Sequence, residues 1–131
     1  MKIAAFRLEP GADLRQSLLT YCAAHQVDAG CIVSCVGSLQ HAVIRFADQP
    51  DGTDIAGKLE IISLAGTVAQ GGCHLHIAVS DAAGRIIGGH LLDGSIVYTT
   101  AEVVLGILPD LLFKRETDAT TGHKELRVIT Q

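Results

Sequence analysis

Gly71-Gly72-Cys73-His74-Leu75-His76-Ile77-Ala78-Val79-Ser80-Asp81-Ala82-Ala83-Gly84-Arg85-Ile86-Ile87-Gly88-Gly89-His90 is the stretch that decides the fold. Two strand-like runs flank Asp81-Ala82-Ala83-Gly84, which has Asp where a type I turn begins and Gly where a left-handed residue is needed. The segment therefore reads as a β-hairpin. Successive strand side chains alternate faces, so His74 and His76 point the same way.

The register of the hairpin decides whether His90 joins them, because a slip of one residue turns a side chain to the opposite face. With a three-residue loop Asp81 pairs with Arg85 and His76 faces His90. Directly opposed Cβ atoms lie roughly 5 Å apart and diagonal ones roughly 7 Å, within reach of one shared ion. A four-residue loop would instead set His90 opposite Leu75 and aim it away. In the first register His74, His76 and His90 form a three-histidine set for a divalent metal, most simply zinc, with a further coordination position left for a ligand. The alternative is three ordinary strand histidines, hydrogen-bonded or half exposed. Alternation aims Cys73 away from His74 and His76, and it reads as a small buried apolar residue.

The rest of the chain supplies a sheet around this hairpin. Residues 2–8 read as a strand ended by Pro10-Gly11. Asp13 with Gln16 three positions later is a capping box, and Leu14, Leu18 and Cys22 with Leu19 and Ala23 make an apolar helical stripe up to about Val27. His25, near the end of that helix, suits a capping or solvent role. Cys31–Leu39 and His41–Ala47 read as two strands, 49–54 as a loop, and 57–68 as a long strand. Ile96, Tyr98 and Thr100 alternate whereas Val103, Val104 and Ile107 fit a helix; the β-branched composition of 95–108 favours a strand. Lys114–Gly122 reads as a polar loop and Glu125–Thr130 as a last strand. The expected fold is α+β: a mostly antiparallel sheet with one or two helices, in a single domain over residues 1–131.

Composition narrows the function. Hydrophobic residues make up 48% of the 131 and aromatics only 4%, with no Trp. The core must be aliphatic, and little ring surface is left for stacking nucleobases or sugars. So much apolar content in a small chain points to burial between subunits. The net charge is −4 and the ten Lys and Arg are scattered, without the basic stripe of an autonomous nucleic-acid binder. The N-terminal stretch lacks a signal-peptide apolar region and no run approaches a membrane span, which makes a cytoplasmic location the expectation. Cys22, Cys31, Cys35 and Cys73 have no CxxC spacing and read as core thiols in a reducing compartment.

Other chemistry-bearing residues are few. The glycine pairs 71–72 and 88–89 fit neither phosphate-loop pattern, and a bulge or close backbone approach explains them more simply. Glu60, Asp93 and Glu102 are the carboxylates expected near the hairpin, each able to orient a ligating histidine or move a proton, and each otherwise a solvated strand charge. Arg85 is the cation expected to assist in anion binding. Tyr98 and Thr99-Thr100 offer hydroxyls that β-propensity alone explains. No serine or cysteine nucleophile stands beside a histidine in workable geometry.

The run from Gly71 through His90 to Glu102, with Pro10-Gly11-Ala12-Asp13-Leu14, Val36-Gly37-Ser38-Leu39, Arg45 and Leu59 to Gly66, resembles the plant and prokaryote conserved (PPC) domain family. The resemblance implies an α+β domain that assembles as a homotrimer and holds zinc at the HxH and GGH positions. It also implies a DNA-associated role, although this chain has no Arg-Gly-Arg-Pro hook and no basic tail. The histidine arrangement is similar, more locally, to that of acetolactate decarboxylase, which would imply a zinc-dependent lyase acting on a small carboxylate. Between an enzyme with Glu60, Arg85 or Glu102 as helpers and a regulatory module whose metal only braces the hairpin, the residues do not choose.

Overall fold

A computed structural model describes residues 1–131. The element order is β1 (Lys2–Leu8), α1 (Leu14–Ala24), β2 (Gly30–Arg45), β3 (Thr53–Ala69), β4 (Gly72–Ser80), β5 (Ile86–Leu91), β6 (Ile96–Ile107), β7 (Leu111–Thr117) and β8 (Lys124–Thr130). Six strands form one antiparallel sheet in the order β1-β6-β2-β3-β4-β5, and the far end of β2 also pairs with β5, so that β2, β3, β4 and β5 close on one another. β7 and β8 form a separate two-stranded sheet. With 63% of its residues in strands and one short helix, the chain has the expected α+β class.

The helix begins where Asp13 accepts the Gln16 backbone N–H at 2.9 Å. The reciprocal half of the capping box is not made, because the Gln16 side chain donates instead to Asp93. The helix ends at Ala24, three residues before the expected limit, with His25 as its C-cap and Gln26 in the left-handed region at φ 52°. Leu14, Leu18 and Cys22 form its buried face and join one aliphatic core with Val68, Val97 and Leu105. Burying each such leucine stabilises the fold by roughly 1.5–3 kcal/mol.

Three further boundaries differ from the sequence expectation. The two strands expected over 31–47 are one, β2. Its pairing register shifts between Leu39 and His41, so the buried positions change phase there, from Leu39 to Ala42 and Ile44, and the alternation looks broken. Residues 114–117, expected in a loop, are strand: Lys114 to Thr117 pair with Arg127 to Lys124. Lys114-Arg115-Glu116-Thr117 carries only polar side chains, so no apolar alternation marks it. Thr53 and Asp54 belong to β3 rather than to the preceding loop. Residues 96–107 are strand, as their β-branched content suggests.

Candidate metal centre

The hairpin turn is built as its residues dictate. The Asp81 backbone N–H donates to the Arg85 carbonyl at 3.0 Å and the Gly84 N–H to the Asp81 carbonyl at 2.9 Å. Asp81 Oδ1 accepts the N–H groups of Ala83 and Arg85, while Gly84 takes the left-handed φ of 77° that the loop requires. This is the three-residue-loop register, and His76 stands directly opposite His90.

β5 is pinned on its other edge as well. A Cβ on Gly89 would lie 2.5 Å from the Arg45 carbonyl oxygen, so only glycine lets β5 approach β2 this closely. The approach sets Arg45 opposite His90.

The three histidines meet on one face. Each offers a ring nitrogen, and the three nitrogens all lie within 4.8 Å of one another; His74 and His76 are exposed and His90 half-buried. His74 Nε2 and His76 Nε2 are 3.3 Å apart. Burial lowers the pKa of His74 and of His90; the neighbouring His76 and Arg115 add to the effect at His74, and Arg45 adds to it at His90. Both shifts favour the neutral form, whose lone pair a metal needs. Three neutral imidazoles are a donor set that zinc accepts.

The triad opens onto a hollow of about 930 Å³ that His74 and His90 line together with Arg15, Arg45, Arg115 and Lys124. These cations come from α1, β2, β7 and β8 respectively. Arg15 donates to Asp93 Oδ1 at 2.7 Å, Arg115 to Thr67 Oγ1 at 2.7 Å and Arg45 to the Gln49 carbonyl at 3.3 Å. Thr67 is the β3 partner of His74, so the Arg115 bond ties the β7–β8 hairpin to the triad. Glu125 lines the same hollow.

The other expected helpers lie elsewhere. Glu60 and Glu102 flank Val36–Ser38 and line a second cavity of about 340 Å³ with Lys58 and Tyr98, which contains none of the three histidines. Arg85 is at the hairpin tip, paired with Asp81 at 3.1 Å. Asp93 stands behind Arg15 rather than against a histidine. Cys73 is half-buried instead of fully buried and lines the hollow; burial raises its pKa, against the influence of Arg15 and Arg115, and keeps it a thiol. As site residues, sequence reading missed Arg15, Arg45, Arg115, Lys124 and Glu125, which come from four elements and share no local spacing. The only sequence signal was Arg45, within the family pattern.

The family model described as "Plants and Prokaryotes Conserved (PCC) domain" matches residues 1–109. The chain is 42% identical over 128 residues to the "Bifunctional protein GlmU" of Synechococcus sp. (strain JA-3-3Ab), covering 98% of this chain and 21% of that protein, so it spans about a fifth of that relative's length. Among solved structures, a Salmonella enterica protein described as hypothetical shares 40% identity with a TM-score of 0.97, over 99% of this chain and 94% of that one. The metal-containing protein AF0104 of Archaeoglobus fulgidus shares 27% identity with a TM-score of 0.82, over 97% and 94%. A Bacteroides thetaiotaomicron structure provisionally described as a DNA-binding protein shares the fold at a TM-score of 0.85 and 21% identity, over 95% and 91%.

Proposed function

This chain belongs to the Plants and Prokaryotes Conserved (PCC) domain family, and on that premise we propose that it is a homotrimeric protein in which His74, His76 and His90 hold one zinc ion and offer it to a small-molecule ligand. The observation that carries the proposal is the convergence of three ring nitrogens within 4.8 Å on adjacent strands. Structural zinc is closed by four protein ligands, whereas three histidines are the set of sites that bind or transform a ligand. A zinc ion bound there would supply a Lewis acid able to polarise a carbonyl or carboxylate oxygen. The chain's own contribution is to favour the neutral form of two of the rings and to surround the approach with guanidinium groups. A relative of the same fold is described as metal-containing, which supports the proposal. Trimer formation is supported by aliphatic side chains left more than half exposed on the isolated chain, among them Val33, Val36 and Ile62 at 52%, 60% and 53%.

The test is metal analysis of protein prepared without chelators, with His90→Ala alongside. We expect about one zinc per subunit in the wild type, and a variant that stays folded and trimeric with its zinc lost. Wild-type protein that takes up no zinc from a zinc-containing buffer would end the proposal. If His90→Ala also dissolved the trimer, the ion would be a brace.

A second reading, a DNA-associated or regulatory module, is supported by a Bacteroides thetaiotaomicron neighbour of the same fold that is provisionally described as a DNA-binding protein, and the Synechococcus relative carries this unit as about a fifth (21%) of a longer protein. Binding to duplex DNA titrated at low and at moderate salt separates the two. Direct phosphate contact requires tight binding at low salt that weakens steeply as salt rises.

A further inference from the structure

The hollow beside the triad carries charge that a metal site does not need. The chain has a net charge of −4, yet four of its cations, Arg15, Arg45, Arg115 and Lys124, line one hollow that holds a single carboxylate, Glu125. Like charges gathered in a concave, partly desolvated space repel one another, and an anion entering that space relieves the repulsion. Arg15 is already answered by Asp93. Arg45 and Arg115 are not: their side-chain hydrogen bonds go to a backbone carbonyl and a threonine hydroxyl, both neutral acceptors.

These two guanidinium groups also flank the triad. Arg45 stands directly opposite His90, so their side chains share a face of the sheet. Arg115 bonds Thr67, which stands opposite His74. An oxyanion seated between them would meet planar, forked donors that match both oxygens of a carboxylate or two oxygens of a phosphate. A hollow of about 930 Å³ is of the size that takes a whole small metabolite.

We propose that Arg45 and Arg115 bind a small organic oxyanion, a carboxylate or a phosphate monoester, in the hollow next to the three histidines. The inference names the ligand class of the metal centre proposed above and rests on that proposal for its context.

The experiment is calorimetric titration of zinc-loaded and chelator-treated protein with inorganic phosphate and, separately, with malonate. We expect saturable binding of at least one anion. Tighter phosphate points to a phosphate monoester and tighter malonate to a carboxylate, and either supports the inference. Arg45→Gln and Arg115→Gln should each weaken binding about tenfold or more, since a charge-assisted hydrogen bond is lost in each. Their zinc content should stay at the wild-type level, and Arg85→Gln, at the hairpin tip, should bind as the wild type does. If Arg115→Gln unfolds through loss of its bond to Thr67, Arg45→Gln still decides. Absence of binding by both anions in both forms of the protein, or unchanged binding in the arginine variants, would overturn the inference. Should the wild type fail to load zinc, the metal proposal falls, while arginine-dependent anion binding by the zinc-free protein would still support this one and its absence would end it.

Discussion

Asp93 is the hinge of the polar network behind the basic hollow, accepting from Arg15 at 2.7 Å and from the Gln16 side chain at 2.7 Å. The Arg15 hydrogen bond holds its carboxyl below the ordinary value of 3.8. A depressed folded-state pKa gives stability that is fully present above the unfolded pKa and is lost as pH falls through the folded one. The wild type should therefore lose stability as pH drops below about 3.8, and Asp93→Asn should flatten that part of the profile, as urea unfolding across the acid range would measure. At this scale the shared face of His74 and His76 was legible in sequence because period-2 alternation fixes it, while the turn motif offered His90 the same face only in one of two registers, the one the structure adopts. Arg15, Arg45 and Arg115 were not legible, because no local spacing links residues 15, 45 and 115.

At the scale of elements, the closed pairing of β2 with β5 depends on Gly89. Gly89→Ala places a Cβ where the Arg45 carbonyl oxygen stands, 2.5 Å away. Thermal unfolding should reveal a cost of about 1–3 kcal/mol, and zinc affinity should fall with it as His90 is pushed from its place. Leu18→Ala, on the buried face of α1 with 1% of its surface exposed, should cost about 2–5 kcal/mol by the same measurement and leave zinc stoichiometry unchanged. The helix and the hairpin were readable because capping, periodicity and turn chemistry act within a few residues. The unity of β2 was not, because its register shift between Leu39 and His41 imitates a strand boundary. Nor was β7, whose apolar start Leu111-Leu112-Phe113 does not alternate and whose Lys114–Thr117 end is polar.

At the scale of the whole molecule, the aliphatic surface should govern association. Sedimentation equilibrium should give three times the 13.8 kDa subunit mass, and Val36→Lys, at a position 60% exposed on the isolated chain, should yield folded monomers. A wild-type monomer at micromolar concentration would refute the trimer. By itself the sequence determined the hairpin, the shared face of His74 and His76, the helix and the α+β class, since each follows from interactions between near neighbours along the chain, whereas the register that brings His90 to the same face was settled between two loop lengths by the structure. Only the tertiary structure decided what surrounds the triad. The closure of β2 onto β5 and the folding of β7–β8 across the sheet bring Arg45 and Arg115 to it and leave Glu60 and Glu102 at another cavity. Such long-range contacts are set by how sheets twist and pack in three dimensions, and no short-range pattern encodes them.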